Sequence, residues 1–363
     1  MKGLLLMLPL LLLTAGCWDE RQLKDAHLTF ATGVDVPKEG KVDVTMAFPE
    51  AGTEMTPATT KQVLTGSGHT FRQSAASVDK KIGGGLDMSK LRVLMIGSET
   101  AKQDIYPLLD ALYRNPSSPL NAKVVVTEGE ASSYFQHEIK GEELFSRYYR
   151  QLIESGEDRS IIPLTNLQLV CSPLFDKGTD AMLPIIAYEE NDQSAKIKGT
   201  ALFHDRKMTG EISANETSAL LMMMNKKQKE LSFTLPAGEQ DHMTVEVKKV
   251  KTKLKVDVAA DQKVKTDIDM NVQISVLEYP PDNLDQEEKI KTLNETTEKE
   301  LERLMGRTVR KLQEANCDAM GIGRRIIAKD PDQFEKMDWS NAYPESDINV
   351  KVNVEIIGNG IIL

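Results

Sequence analysis

The sequence predicts a multi-domain protein of mixed α/β and α+β class, with an N-terminal α/β region followed by a C-terminal antiparallel sheet and one long amphipathic helix. Three observations carry that expectation. In the first half, apolar runs of strand length such as "LRVLMIG" and "AKVVVTEG" alternate with segments of helical spacing, an order that calls for some parallel pairing because parallel strands need crossovers. In the second half, Met243–Val258 and Lys265–Tyr279 alternate apolar and polar residues, as strands with one wet face do. From about Asp285 to Asn316 apolar residues recur every three or four positions, with Glu and Lys on the opposite side. A chain of 363 residues has room for about two domains.

The elements follow in order. Lys2, the apolar run Leu4–Leu13 and the small residues Thr14-Ala15-Gly16 have the layout of a secretory signal. As a helix that run would span about 15 Å, half of the roughly 30 Å of a hydrocarbon core, so a cleaved signal is expected rather than a membrane span. "TAGC" resembles a bacterial lipobox, which implies cleavage between Gly16 and Cys17 and a lipidated Cys17 at the new terminus. Trp18 then suits either the headgroup layer or packing on the folded body.

"LTFATGVDV" and "KVDVTMAFPE" read as strands around the turn Pro37-Lys38-Glu39-Gly40. In "TFRQSAASVDKKI", Phe71, Ala75, Val78 and Ile82 share a helical face; a second helix carries Ile105, Leu108, Leu109 and Leu112 on one side. Further helices are expected over Ala131–His137 and Glu142–Glu154. Pro163, Pro173 and Pro184 interrupt two short apolar runs, which suggests a small sub-domain at about 160–190. The polar, aperiodic stretch Tyr188–Lys196 places the main boundary there: 1–16 signal, 17–190 N-terminal α/β domain, 191–363 C-terminal α+β domain. Beyond it, "KIKGTALF" and "RKMTGEIS" make a hairpin turning at His204-Asp205, and Ser213 and Glu216 have capping-box spacing before "TSALLMMMN". On "VKKVKTKLKVDV", Val250, Thr252, Leu254 and Val256 face one way and Lys249, Lys251, Lys253 and Lys255 the other. That lysine row reads as a solvated face, with anionic lipid headgroups as the sharper alternative. "NVKVNVEIIG" closes the chain as a strand of the same alternating kind.

Composition narrows the function classes. Hydrophobic residues make up 40% and charged residues 28%, ordinary values for a globular protein. The formal net charge is −10, and −11 once the signal removes Lys2, which disfavours nucleic acid as a general partner. Cys171 and Cys317 are expected as buried free thiols, with a disulfide outside the cytoplasm as the alternative. His27, His69, His137, His204 and His242 are too scattered for a metal site, so no metal and no cofactor is expected. There is no G-x-S-x-G elbow, no phosphate-binding G-x-x-x-x-G-K-[ST] loop and no H-E-x-x-H, so no catalytic residue is assigned and the chain is not expected to be an enzyme. Gly83-Gly84-Gly85 reads as a turn, and Gly66-Ser67-Gly68-His69 lacks the glycine spacing of a dinucleotide site.

"GCWDERQL", with Trp18, Asp19 and Arg21 after the cysteine, resembles the start of the mature chain of the Ger(x)C spore germination lipoproteins, and further segments follow in that family's order. "GSGHTFRQSA" resembles its Gly-x-Gly-x-Thr-Phe segment, and "LRVLMIGSETAKQ" its strand ending in Ile-Gly before a helix. "KGTALFHDRKMTGEIS" resembles the segment ending in a Gly hairpin; "CDAMGIGRRI", with Asp318, Gly321 and Gly323, and then Trp339, resemble the C-terminal signature. The resemblance implies a three-domain, mixed α/β C subunit of a nutrient germinant receptor in a spore-forming bacterium. It would be tethered on the outer leaflet of the spore inner membrane beside a membrane A subunit and a polytopic B subunit. Gly321, Gly323 and Trp339 read either as contact points or as a helix start and a core anchor. Whether this subunit touches a small-molecule germinant is left open. A competing reading from another class is a substrate-binding lipoprotein that hands a nutrient to a transporter, which would need two similar lobes around a cleft.

Overall fold

The computed structural model describes residues 26–37, 40–49, 61–83, 85–137, 145–238, 241–259, 261–281 and 284–358. The strands of the first half are β1 (Ala26–Leu28), β2 (Ala31–Asp35), β3 (Val42–Pro49), β4 (Lys61–Gly68), β5 (Gly85–Asp87), β6 (Val93–Gly97) and β7 (Lys123–Thr127). They are followed by β8 (Met182–Glu189), β9 (Ser194–His204) and β10 (Lys207–Ser213). Eight of these ten form one sheet in the order β10-β9-β8-β7-β6-β2-β3-β4, while β1 and β5 make a small parallel pair. β2, β6, β7 and β8 are mutually parallel, and antiparallel hairpins extend the sheet on both sides.

Both faces of this sheet are covered, which is why its central strands are continuous apolar runs. Leu94, Ile96, Val124 and Val126 point into one core with α1 (Phe71–Asp79), α2 (Ser98–Ala101) and α3 (Tyr106–Tyr113). Val93, Met95 and Val125 point into a second core with α4 (Ala131–Tyr134) and α5 (Phe145–Asp158), whose Tyr134, Tyr149 and Ile153 are buried. A short α6 (Leu167–Cys171) returns to the first face through Leu167 and Val170.

The boundary expected at 190/191 lies at the turn of the β8–β9 hairpin, and the eight-stranded sheet runs across it: Glu189 pairs with Ser194 and Ile186 with Ile197. The 160–190 segment ends in a strand of the main sheet. Strand β4 was not expected at all, because the glycines of "KQVLTGSG" look like loop. They permit close packing instead: a Cβ on Gly66 would stand 2.9 Å from Val78 Cγ2, and one on Gly68 2.9 Å from the Ser74 nitrogen, both on α1.

The second half begins with α7 (Ala214–Met223), opened by Ser213 and Glu216 in a complete capping box. Leu220, Leu221, Met222 and Met223 are all buried. A four-stranded sheet follows in the order β11 (Ser232–Pro236), β12 (His242–Val258), β13 (Val264–Glu278), β14 (Asp347–Gly358). One face packs on α8 (Glu287–Glu314), which buries Leu293, Leu301, Leu304, Met305, Val309 and Leu312. The other face is wet. β12 and β13 are antiparallel from Thr244↔Glu278 to Val258↔Val264, but β14 joins β13 in parallel, from Lys265↔Asp347 onward. The expected antiparallel sheet is therefore mixed, because α8 serves as a crossover that brings the chain back to the starting end. The short helices α9 (Ile322–Lys329), α10 (Pro331–Glu335) and α11 (Trp339–Ala342) lie between α8 and β14. Cys171 and Cys317 are both free, Cys317 buried and Cys171 half-buried.

Candidate functional site

The segment after α8 has to reverse direction, and two residues in the left-handed region make that turn: Asn316 at φ 50° and Gly321 at φ 66°. Between them Asp318 is 1% exposed. Its carboxylate accepts the Ile322 N–H at 2.8 Å and the Gly323 N–H at 2.7 Å, so it closes the N-terminal end of α9 from below. Its backbone is tied to the first-half loop before β8. The Asp318 N–H donates to Asp180 Oδ2 (2.8 Å), and its carbonyl accepts the Asp180 N–H (3.0 Å) and the Thr179 hydroxyl (3.2 Å).

The glycines let two backbones touch. Arg324 N–H donates to the Gly178 carbonyl at 2.8 Å. A Cβ on Gly323 would lie 2.7 Å from Trp339 Nε1 and 3.0 Å from the Gly178 Cα. Any larger residue would push α9 off both neighbours. The Arg324 guanidinium reaches back to Asp176 at 2.9 Å. Trp339 packs its ring against Phe334 and Tyr343, with centroids 5.8 and 5.6 Å away. At the end of β9, His204 Nε2 stands 3.3 Å from both Asn316 Nδ2 and Ser340 Oγ, and its Nδ1 is 3.6 Å from Asp180.

Burial pushes the Asp318 carboxyl up to about 7, with the N–H groups of Gly323 and Ile322 opposing and the Asp180 charge adding to the rise. Asp180 also raises His204, against a smaller pull from burial. Burial holds the Cys317 thiol and the Tyr343 phenol well above their ordinary values, so Cys317 is no thiolate nucleophile. With Asp318 committed to backbone donors and Cys317 kept protonated, this cluster positions elements and joins the two halves. Among the described residues no group of three or more His, Cys, Asp or Glu is placed to hold a metal ion.

Sequence positions far apart thus converge: Asp318, Gly321, Gly323 and Trp339 form one cluster. Gly16, Cys17, Trp18, Asp19 and Arg21 lie outside the described residues. The structure adds Asp176, Gly178, Asp180 and His204, which the sequence reading did not single out. "DKGTD" at Asp176–Asp180 carries a turn signal, but nothing in it points to a partner 138 residues away. The "GSGHTF" segment is a second structural motif: Thr70 caps α1 by accepting the Gln73 N–H at 3.1 Å, Gln73 Oε1 accepts the His69 N–H at 2.7 Å, and Phe71 is buried.

Residues 19–188 match the family described as the spore germination protein N-terminal domain, and residues 198–360 the one described as spore germination B3/GerAC-like, C-terminal. Spore germination protein GerQC of Bacillus cereus is 25% identical over 99% of this chain and 99% of its own length. Spore germination protein KC of Bacillus subtilis (strain 168) is 23% identical over 98% of this chain and 95% of its own. Among solved structures, the crystal structure of the GerBC protein superposes with a TM-score of 0.61 at 19% identity, covering 93% of this chain and all of that one, a likeness of fold. With both halves matched in order along nearly the whole length, the chain belongs to the Ger(x)C family of spore germination proteins.

Proposed function

We propose that this protein is the lipid-anchored, non-enzymatic C subunit of a nutrient germinant receptor. It works on the outer face of the spore inner membrane, beside A-type and B-type membrane subunits. The observation that carries the reading is the position of Cys17: it follows a ten-residue apolar run and three small residues, and precedes segments that match spore germination proteins at residues 19–188 and 198–360. Each buried methylene of an acyl chain contributes about 0.8 kcal/mol, so two or three palmitate-length chains on one cysteine hold a water-soluble body at a bilayer. The nine residues from Trp18 to Ala26 reach at most about 30 Å, so the β1 end of the body stays within that distance of the headgroups. The cluster around Asp318 supports a positioning role over catalysis, since the Asp318 carboxylate is taken up by the Ile322 and Gly323 N–H groups. The two halves are also unlike, one sheet covered on both faces and the other on one, which weighs against paired lobes closing on a transported nutrient.

Fractionation of spores carrying Cys17→Ala tests the anchor. The variant should leave the membrane fraction, and nutrient-triggered germination through this receptor should fall with it. A variant that sediments with membranes as fully as the parent chain, or a native protein whose amino terminus is uncleaved and unmodified by mass spectrometry, would overturn the reading. Purification of the native protein from spore membranes should bring down the A-type and B-type subunits together.

A further inference from the structure

The four-stranded sheet has two edges, and the fold treats them differently. On the β14 edge the N–H groups of Val352, Val354 and Ile356 donate to Glu302 Oε1 (3.0 Å), Glu298 Oε1 (2.9 Å) and Asn294 Oδ1 (3.1 Å). These acceptors stand four residues apart on α8, a rise of about 6 Å, which nearly matches the roughly 6.6 Å between alternate strand residues. Helix and strand therefore stay in step, and that edge is closed.

Among the described residues nothing closes the β12 edge beyond Val247. β11 pairs only with 242–246, and Val247 N–H still donates to the Leu231 carbonyl. From Lys248 to Val258, no described group bonds to the backbone N–H and C=O groups that point away from β13. In antiparallel pairing alternate residues direct both groups outward, so this stretch presents a regular ladder. Its wet face carries Lys249, Lys251 and Lys253, exposed and without an ion pair among the described residues; opposite the first two stand the neutral Gln273 and Asn271, and opposite Lys253 stands Asp269. Its other face carries Val250, Leu254, Val256 and Val258, only half-buried against the core. Beside Val256 and Val258 a hollow of about 280 Å³ opens toward α9, lined also by Ile326, Lys329, Asp330 and Gln333.

We propose that the β12 edge from Lys248 to Val258 is a docking site for an extended segment of a partner protein, added in line with β11, whose residues alternate acidic and apolar. The ladder supplies main-chain hydrogen bonds. Alternation sets the side-chain pattern: the acidic residues fall beside Lys249, Lys251 and Lys253, and the apolar ones beside Val250, Leu254 and Val256. Edge lysines also serve to repel unwanted strands, and the test separates the two roles. The inference stands independently of the lipid anchor.

The probe is a fluorescein-labelled nine-residue peptide alternating glutamate with valine or threonine, titrated by anisotropy into the purified full chain in detergent. Saturable one-to-one binding is expected. Reversing Lys249→Glu, Lys251→Glu and Lys253→Glu together should weaken it by about tenfold or more. Against the unaltered protein, the same peptide N-methylated at alternate residues on the ladder side should lose binding by a similar factor, a result that no misfolded variant can imitate. Binding indifferent to N-methylation would reduce the site to charge attraction and overturn strand addition. No binding, with self-association appearing when the three lysines are changed to threonine, would show a guarded edge and overturn the docking role.

Discussion

β6 and β13 are both interior strands, yet consecutive residues fare differently on them. Leu94 and Met95 of β6 point to opposite faces and both are fully buried, in two separate cores. On β13, Met270 is fully buried while its neighbour Asn271 is exposed and hydrogen-bonded across the sheet to Asn353. The first sheet is a middle layer; the second is a wall with one face in water. Sheets of the first kind have no free face to offer a partner. The second half keeps a whole strand face and an open edge in reach of solvent.

The largest expected effect tests that contrast directly. Leu94→Ala and Met95→Ala should each cost about 2–5 kcal/mol, and Met270→Ala a similar amount, whereas Asn271→Ala should stay within about 0.5 kcal/mol. Denaturant melts of the four variants check this; a costly Asn271→Ala would mean that the second sheet's outer face is structurally required.

The joint between the halves should respond to pH. Asp318 has its folded pKa raised from 3.8 to about 7, so the folded chain holds this proton more tightly than the unfolded one. Its contribution is therefore greatest below about pH 4 and is lost as pH rises toward 7. His204, raised from 6.5 by Asp180, contributes fully below 6.5 and loses that stabilisation as pH climbs through its folded value. Both signs agree: the joint weakens from mildly acidic to neutral pH. Thermal melts between pH 4 and 8 should show this slope, and it should be shallower in Asp318→Asn, which lacks the titrating proton, even though that variant starts less stable.

Smaller effects sharpen the picture. Gly323→Ala places a methyl group against Trp339 and Gly178 and should cost about 1–3 kcal/mol, with tryptophan fluorescence shifting as the ring is displaced. Ser213→Ala removes one member of the capping box on α7 and should cost about 1 kcal/mol by the same melts.

Much of this architecture was legible because local patterns coincide with burial. The continuous run at Val93–Gly97 and the alternation along 243–258 announce a two-sided and a one-sided environment before any fold is known. The capping box at Ser213 is equally local. β4 was missed because its glycines serve packing against α1, a tertiary reason that reads in sequence as a loop. The sheet's continuation across residues 190 and 191 was not legible, because a hairpin turn and a linker are both short and polar. Within the joint, Asp318, Gly321, Gly323 and Trp339 could be picked out by family resemblance, but Asp180 could not, and His204 read only as a turn residue, since their role exists only once β8, β9 and the end of α8 are side by side.

By itself the sequence determined the two kinds of strand and the long helix, because periodicity and capping act over a few residues. Only the tertiary structure decided that β14 would run parallel to β13, that the first sheet would extend through β10, and that one sheet edge would be closed by Asn294, Glu298 and Glu302 while the other stayed open. Those outcomes depend on which distant segments win the competition for a shared core, and no local pattern encodes the result of that competition.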